Sequence, residues 1–473
     1  MEARSSRGRV AVVSLGCKLN QAEGEAMRHR CAAAGYEIVP FGEGADVYVV
    51  NTCTVTAEAD REGRRLARRA RRLGPPGARV ILAGCSPQAD AAGMRIPEAD
   101  LLLGNAEKLR LDDHLARPAR REEGLPEVRV APIEERLDIE TVALPHFEGR
   151  TRAFLKVQDG CDFSCTFCAT TLARGKGRSL GVEECLAQAE GLVAGGHREI
   201  VLTGIHLGAY GRDLERPATL SRLVSRLLGA AGLTRLRLSS VEPGEVTGEL
   251  LRLAARRAYR AAPGPDNGPG GGGDEGGAYL CRHFHIPVQS GDDGVLASMG
   301  RNYRAGACAS RFDALAREIP GVCLGADFLV GFPGESAEAF GRTLEWVREA
   351  PLAYLHVFPF SSRPGTPAAE MDGALSPTVL RERSEALREL GRRKWETFLA
   401  AQAGAEAEVL VESRGAEDGL LTGLTDNYVR VRLEGPDAWI GRAAPVRLEP
   451  LSGEGEGSRR RARGEAMRGA PLS

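Results

Sequence analysis

Long apolar runs are absent from this 473-residue sequence. None approaches the ~18 consecutive residues that mark a membrane-spanning helix, so no span is expected. The opening Met1-Glu-Ala-Arg-Ser-Ser-Arg7 has no apolar segment behind it, so no secretory leader is expected either. An excess of one charge sign is also missing. Lys and Arg total 63 against 64 Asp and Glu, a formal net charge of −1, so only a local patch can meet a polyanionic partner. These absences predict a cytoplasmic protein. In that reducing setting, eleven cysteines argue for thiolate ligands rather than a disulfide framework. The length suits about three domains. An apolar fraction of 42% suffices for ordinary cores.

What is present in concentration is thiol. Cys161-Asp-Phe-Ser-Cys165-Thr-Phe-Cys168 is a CxxxCxxC run directly after an apolar stretch that reads as a strand. Three thiolates are one short of a closed structural zinc site. A [4Fe-4S] cluster on three cysteines leaves one iron open to a cofactor or substrate. The competing reading is three incidental cysteines. Their crowding into eight residues, flanked by Asp159, Gly160 and Asp162, weighs against it.

The first ~110 residues alternate strand and helix, with element lengths usual for such units. Strands are expected over 10–15, 46–50 and 79–82, and helices over 21–34 and 58–73. This pattern predicts a parallel sheet covered by helices, with ligands beyond the carboxyl ends of its strands. Cys17, Cys53 and Cys85 each follow one of the three strands by two or three residues. Topology thus gathers them at one sheet edge as a second three-thiolate site. Cys31, among alanines within the first helix, reads as a packing residue. The second helix carries Arg61, Arg64, Arg65, Arg68, Arg69, Arg71 and Arg72, with Glu58, Asp60 and Glu62 only at its start. The uncompensated remainder is a candidate phosphate-contacting face, weighed against an ordinary solvated one.

A Pro- and charge-rich linker with one short strand is expected over 112–142. Six further strands, over 152–158, 199–203, 235–239, 283–289, 324–330 and 354–360, alternate with helices and suggest a partial βα barrel. Its chemistry would lie at the carboxyl ends of the strands. Residues 262–276 (APGPDNGPGGGGDEG) read as a flexible, dispensable insertion. A helix over 377–401 leads to a β-rich module over 406–448. There, alternation puts Tyr428, Arg430 and Arg432 on one strand face, a candidate RNA contact through stacking and phosphate pairing. From Ser452, the tail with Arg459, Arg460, Arg461 and Arg463 reads as disordered and basic. The expected architecture is α/β: a parallel-sheet domain (8–112), a linker (113–146), a partial (β/α)6 barrel (147–376), a connecting helix (377–403), a small β-barrel (404–451) and a tail (452–473).

The CxxxCxxC loop after the first barrel strand resembles the radical S-adenosylmethionine (SAM) signature. Leu15-Gly-Cys17-Lys-Leu-Asn-Gln21, Asn51-Thr-Cys53-Thr-Val55 and Ala83-Gly-Cys85 resemble the N-terminal domain of the methylthiotransferases, and the terminal barrel resembles a TRAM domain, an RNA-binding module. Leu202-Thr-Gly-Ile-His-Leu-Gly-Ala-Tyr-Gly211, Leu238-Ser-Ser-Val-Glu-Pro243 and His356-Val-Phe-Pro-Phe-Ser361 are similar to the branch acting on threonylcarbamoyladenosine in tRNA. So are Gly16-Cys17-Lys18-Leu-Asn20 and Thr422-Gly-Leu-Thr-Asp-Asn-Tyr428. One departure is local. After Cys168 the family runs through a proline into Arg-Gly-x-x-Arg-Ser-Arg, whereas this chain has Ala169-Thr-Thr-Leu-Ala-Arg174-Gly-Lys-Gly-Arg178-Ser-Leu180.

The resemblance implies two [4Fe-4S] clusters. One, on Cys161, Cys165 and Cys168, would bind and cleave SAM. The other, on Cys17, Cys53 and Cys85, would carry the sulfur to be inserted. It further implies Phe167 against the adenine of SAM, and Arg178, Thr203, Gly204, Ser240 and Gln289 as polar SAM contacts. The substrate would be the tRNA anticodon loop at adenosine 37, with electrons from a donor of flavodoxin or ferredoxin type. Rival readings are methylthiolation of isopentenyladenosine in tRNA, of a ribosomal-protein aspartate, or a metal-containing RNA-binding protein without catalysis.

Overall fold

The computed structural model describes residues 7–472 except 118–120, 122, 137, 258–276, 417 and 451–466. The Gly-rich segment 262–276 and Arg459, Arg460, Arg461 and Arg463 therefore lie outside the described residues.

The first sheet is wholly parallel. Its strands are β1 (Arg9–Ser14), β2 (Glu37–Ile38), β3 (Val47–Thr52), β4 (Arg79–Gly84), β5 (Leu101–Leu103) and β6 (Glu127–Arg129), in the order β2-β1-β3-β4-β5-β6. The central β3, Val-Tyr-Val-Val-Asn-Thr, is buried along its whole length, as expected of a strand covered on both faces. Alternate residues feed two cores: Val10, Val12, Val49 and Ile81 enter one, Ala11, Tyr48, Val50 and Leu82 the other. The strands β2, β5 and β6 are two or three residues long, too short to show a period in sequence. The last comes from the segment read as a linker.

Helix α1 (Lys18–Ala33) crosses from this sheet to the next domain, and α2 (Ala57–Leu73) starts at Thr56, whose side chain accepts from the Ala59 amide at 3.2 Å. The arginines of α2 are not the uncompensated face expected. Arg65 pairs with Glu62 at 2.6 Å, Arg71 with Asp100 at 2.6 Å and Arg68 with Glu98 at 3.5 Å, while Arg69 lies over the Phe41 ring. Glu98 and Asp100 stand far away in sequence, just before β5, so linear reading could not supply them.

The second domain holds the six expected parallel strands: β7 (Arg152–Lys156), β10 (Glu199–Thr203), β11 (Arg235–Leu238), β13 (His283–Gln289), β14 (Cys323–Val330) and β15 (Tyr354–Pro359). A short ribbon, β8 (Gln158–Asp159) with β9 (Arg178–Ser179), and the two-residue β12 (Tyr279–Leu280) are added to them. The groups β12-β11-β10-β7 and β13-β14-β15 meet at a bridge between Ser240 and His285, giving an open half-barrel. The strand β7 is its free edge, and α1 packs against it.

The helix Pro377–Gln402 leads to a closed barrel of β16 (Glu406–Arg414), β17 (Leu421–Thr425), β18 (Arg430–Leu433), β19 (Ala443–Glu449) and β20 (Met467–Pro471), ordered β16-β17-β18-β20-β19. Two expectations are corrected here. The tail is not wholly disordered: β20 lies parallel to β18 and antiparallel to β19, with Met467 in the core. A barrel missing this strand would expose two unpaired edges, and the segment 451–466 hides the connection from sequence. Nor does Tyr428 sit on an outward strand face. The Thr425 hydroxyl bonds Asn427 Oδ1 at 2.7 Å and accepts from the Val429 amide at 2.9 Å, bending the chain into a turn with Tyr428 at φ 68°. Its ring stacks on His283 at 4.1 Å, beneath the half-barrel, with Arg237 over it. Arg432 pairs with Asp418, and Arg430 alone of the three is exposed.

Truncation after residue 466 is therefore expected to speed amide hydrogen exchange along β18 and β19 and to cost at least the ~1.5–3 kcal/mol of burying Met467. Unchanged exchange in those two strands would show that β20 is dispensable.

Candidate functional site

The loops after β1, β3 and β4 bring Cys17, Cys53 and Cys85 to one edge of the first sheet. Their thiols lie close enough to interact electrostatically. Two asparagines from the cysteine-bearing segments lace these loops together. Asn20 Nδ2 donates to the Leu15 and Thr52 carbonyls at 2.9 and 2.7 Å, and Asn51 Nδ2 donates to the Asn20 carbonyl at 2.8 Å. Thr52 Oγ1 donates to the Ala83 carbonyl at 2.7 Å, and Ser86 Oγ donates to the Cys53 carbonyl at 3.0 Å. Gly16 has φ 82°, and a Cβ there would stand 2.6 Å from Cys53 Sγ, so only glycine permits this approach.

Cys161, Cys165 and Cys168 are half-buried on the loop beyond β8. Gly160, at φ 69°, lets the returning segment pass: a Cβ would meet the Lys176 carbonyl at 1.9 Å. Each sulfur has a donor or ring nearby. Arg301 Nη1 donates to Cys165 Sγ at 3.1 Å, the Phe163 amide to Cys161 Sγ and the Thr170 amide to Cys168 Sγ, both at 3.4 Å. His206 Nδ1 lies 3.7 Å from Cys161 Sγ, with its Nε2 held by Glu245 at 2.7 Å. Donors of this kind set the electron affinity of a thiolate-bound centre.

Burial pushes the Cys53 and Cys161 thiols up to about 12, and also raises Cys17 and Cys165, where Arg174 and Arg301 respectively pull the other way. Cys17 is exposed, whereas Cys53 and Cys85 are buried. Such thiols become thiolates only when a positively charged group arrives. A single ion does not fit either trio. Tetrahedral zinc, with Zn–S of about 2.3 Å, draws its sulfurs within ~4 Å of one another. Among the described residues neither trio closes to 4.8 Å on all sides. The donor set and its spread suit a polynuclear iron–sulfur group.

Between the trios lies a fully buried ionic joint. Glu23 of α1 receives Arg174 at 2.7 and 2.9 Å, Lys156 at 2.8 Å and Lys108 at 2.5 Å. Asp159 takes Lys156 at 2.7 Å and Arg174 at 3.2 Å, and Asn20 Oδ1 takes Arg174 at 2.7 Å. Asn105 bridges the same domains, donating to the Ala173 carbonyl at 2.6 Å and to Cys85 Sγ at 3.5 Å. A second tie joins Arg363, beyond β15, to Asp60 and to Thr54 Oγ1.

One cavity is lined by Val55 and Thr56 just past Cys53, by Phe167 beside Cys168, and by Gln289, Asp327 and Phe360 of the half-barrel. A second cavity, between α1 and the half-barrel, is lined by Ala22, Glu23, Leu144, Phe147 and Lys156 among others, and neither lining includes a cysteine. Of the residues expected near SAM, Phe167 and Gln289 share the first cavity. Ser240 is exposed at its strand end, Thr203 is buried, and Gly204 lies against Gln158. Arg178 is turned inward, donating to the Lys176 and Arg174 carbonyls and lying 3.7 Å from Asp159. Sequence reading missed Glu23, Lys108, Lys156, Arg174, His206 and Arg301. The one available signal was Glu23, an acid amid the small residues of a helix that must be covered.

Comparison with known proteins places these features. The family model described as "Uncharacterized protein family UPF0004" matches residues 9–104, and the TRAM domain model matches residues 400–452. The chain is 36% identical to the threonylcarbamoyladenosine tRNA methylthiotransferase MtaB of Bacillus subtilis, over 93% of each chain. It is 35% identical to MtaB of Aquifex aeolicus, over 90% of this chain and 97% of that one. Among solved structures, the radical SAM methyltransferase TsrM of Kitasatospora setae matches with a TM-score of 0.52 at 17% identity, over 77% of each chain, a likeness of fold alone.

The ionic joint carries a stability prediction. Burial alone would raise Glu23, but Arg174, Lys108 and Lys156 hold it well below its ordinary value. Asp159, likewise buried, is held at about 2 by Lys156 and Arg174. Depressed carboxylates confer stability above their unfolded values of about 4, and lose it as pH falls through the folded ones. Stability is thus expected to fall as pH drops from about 4 toward 2. Glu23→Gln, which strands buried cations, is expected to cost about 3–5 kcal/mol at neutral pH in denaturant unfolding. A loss under about 1 kcal/mol would show the joint to be incidental.

Proposed function

We infer from its relatives, since this chain belongs to the MtaB family of threonylcarbamoyladenosine tRNA methylthiotransferases, that it converts N6-threonylcarbamoyladenosine in tRNA to the 2-methylthio derivative. The observation that carries this reading is the pair of thiol trios on two domains whose cysteine-bearing loops are tied together by Arg174, Glu23, Asn20 and Asn105, in a chain that also carries a TRAM domain. The site within tRNA would be adenosine 37 of the anticodon loop. The electrons would come from a flavodoxin- or ferredoxin-type donor.

In this reading Cys161, Cys165 and Cys168 hold one [4Fe-4S] cluster and Cys17, Cys53 and Cys85 the other. When bound, the clusters and SAM supply a 5′-deoxyadenosyl radical and a sulfur, the means of functionalising an unactivated aromatic C–H. The chain's own residues do the rest. Arg301 and His206 hold the sulfurs of Cys165 and Cys161. Phe167 and Gln289 line the wall against which SAM and the target base would lie. Arg174, locked to Glu23 and Asn20, keeps the two cysteine loops in fixed relation, so that reacting groups are positioned rather than left to diffuse. Arg430 on the outer face of the small barrel is available to phosphate.

The test is anaerobic reconstitution with iron and sulfide, followed by assay on tRNA carrying threonylcarbamoyladenosine. About eight irons per chain are expected, with methylthiolated nucleoside by mass spectrometry. Replacing Cys17, Cys53 and Cys85 together should remove about half the iron. Zinc in place of iron, with no SAM cleavage, would support a non-catalytic RNA-binding protein. Modification of isopentenyladenosine instead would move the chain to the other tRNA branch.

A further inference from the structure

Neither thiol trio closes tightly enough to hold a single ion, but another group of side chains does. Among the described residues, the donor atoms of His285, Asp327 and His356 all lie within 4.8 Å of one another. They come one each from β13, β14 and β15, three adjacent strands of the half-barrel. The register sets Asp327 beside His356, and His285 beside Gly325, two residues earlier on the same face of β14. His285 Nε2 is 2.8 Å and His356 Nδ1 3.1 Å from one and the same oxygen, Asp327 Oδ1. An ion with bonds of about 2.1 Å at right angles puts neighbouring ligand atoms about 3 Å apart.

The charge balance at Asp327 is unusual for this chain. Buried carboxylates elsewhere meet a lysine or arginine: Glu23 has Arg174, Glu199 has Arg237, Glu335 has Arg383 and Asp426 has Arg282. Asp327, whose side chain is only 21% exposed, pairs among the described residues with imidazoles alone. A carboxylate drawn into a fold without a cation beside it is costly. The group is also braced from behind. His285 Nδ1 lies 2.9 Å from the Tyr354 hydroxyl, so a proton held there leaves the Nε2 lone pair free. A ligating histidine characteristically has its second nitrogen engaged in this way. Asp327 itself lines the cavity that Val55 and Phe167 share.

We propose that His285 Nε2, Asp327 Oδ1 and His356 Nδ1 form a binding site for a divalent first-row ion such as Fe²⁺ or Mn²⁺. Two imidazoles and one carboxylate on a single face of an ion are a known set for such metals, with the opposite positions left open. Those positions would take water or an oxygen atom of a ligand in the cavity. The site uses none of the six cysteines assigned to clusters, and it does not depend on which nucleoside is modified.

The probe is Mn²⁺, which favours oxygen ligands over thiolates. The protein is reconstituted anaerobically with iron and sulfide, so that both trios are occupied, and free Mn²⁺ is followed by its electron paramagnetic resonance signal. A single saturable ion per chain is expected. Asp327→Asn and His356→Ala should each weaken binding at least tenfold, and Tyr354→Phe, which keeps the ring and loses the hydroxyl, roughly tenfold. Spin-echo modulation of the bound ion should show imidazole nitrogen, diminished in His356→Ala. Should Asp327→Asn fail to fold, His356→Ala carries the test, since that side chain is 55% exposed. Absence of saturable binding would overturn the proposal and leave a hydrogen-bonded trio without an ion. So would binding that His356→Ala leaves undiminished and that shows no imidazole nitrogen.

Discussion

The arrangement depends on Glu23. One carboxylate, fully buried, gathers Arg174, Lys156 and Lys108 from three different parts of the chain. Burying so many charges is worthwhile only when the geometry is complete, and here Asp159 and Asn20 satisfy much of what Glu23 leaves. Its consequence is positional. Glu23 lies six residues past Cys17 on α1, and Arg174 six past Cys168 on the loop of the second trio. An apolar contact between the domains could slide without much cost. An ionic joint of this kind cannot, since any shift strands a buried charge. The Arg363–Asp60 tie pins the other side of the cleft.

The terminal barrel contributes from below. Its Asp426 and Asn427 turn docks under the half-barrel, where Arg282 pairs with Asp426 at 2.7 Å and Arg237 reaches two backbone carbonyls. Tyr428 then stacks on His283, next to Tyr354, and caps the lumen. A module matched as TRAM thus uses one turn to seal the core of the neighbouring domain, leaving its outer strands to face solvent. Sealing matters for radical chemistry, because stray water and thiols quench what the site generates.

Much of this was legible in the sequence for reasons that can be stated. The placement of the cysteines was legible because CxxxCxxC is local, and because strand topology predicts where residues just past each strand converge. The six strands of the half-barrel follow from apolar runs of ordinary length. What escaped depends on partners remote in the chain. Arg71 of α2 looks unpaired until Asp100 arrives beside it, and Arg174 looks like part of a basic loop until Glu23 meets it. Tyr428 obeyed strand alternation on paper, but the Thr425 hydroxyl bends the chain before the strand begins. The strand β20 was missed because a low-complexity approach suggested that nothing ordered followed.

The central proposal is that the two thiol trios hold two iron–sulfur centres close enough to interact, their loops fixed to each other by the Glu23 joint. Electron paramagnetic resonance of the anaerobically reconstituted, dithionite-reduced protein measures this directly, by comparison with variants lacking either cysteine trio. The account predicts spin–spin broadening in the complete protein that is absent from both variants. A spectrum equal to the simple sum of the two variants would contradict it.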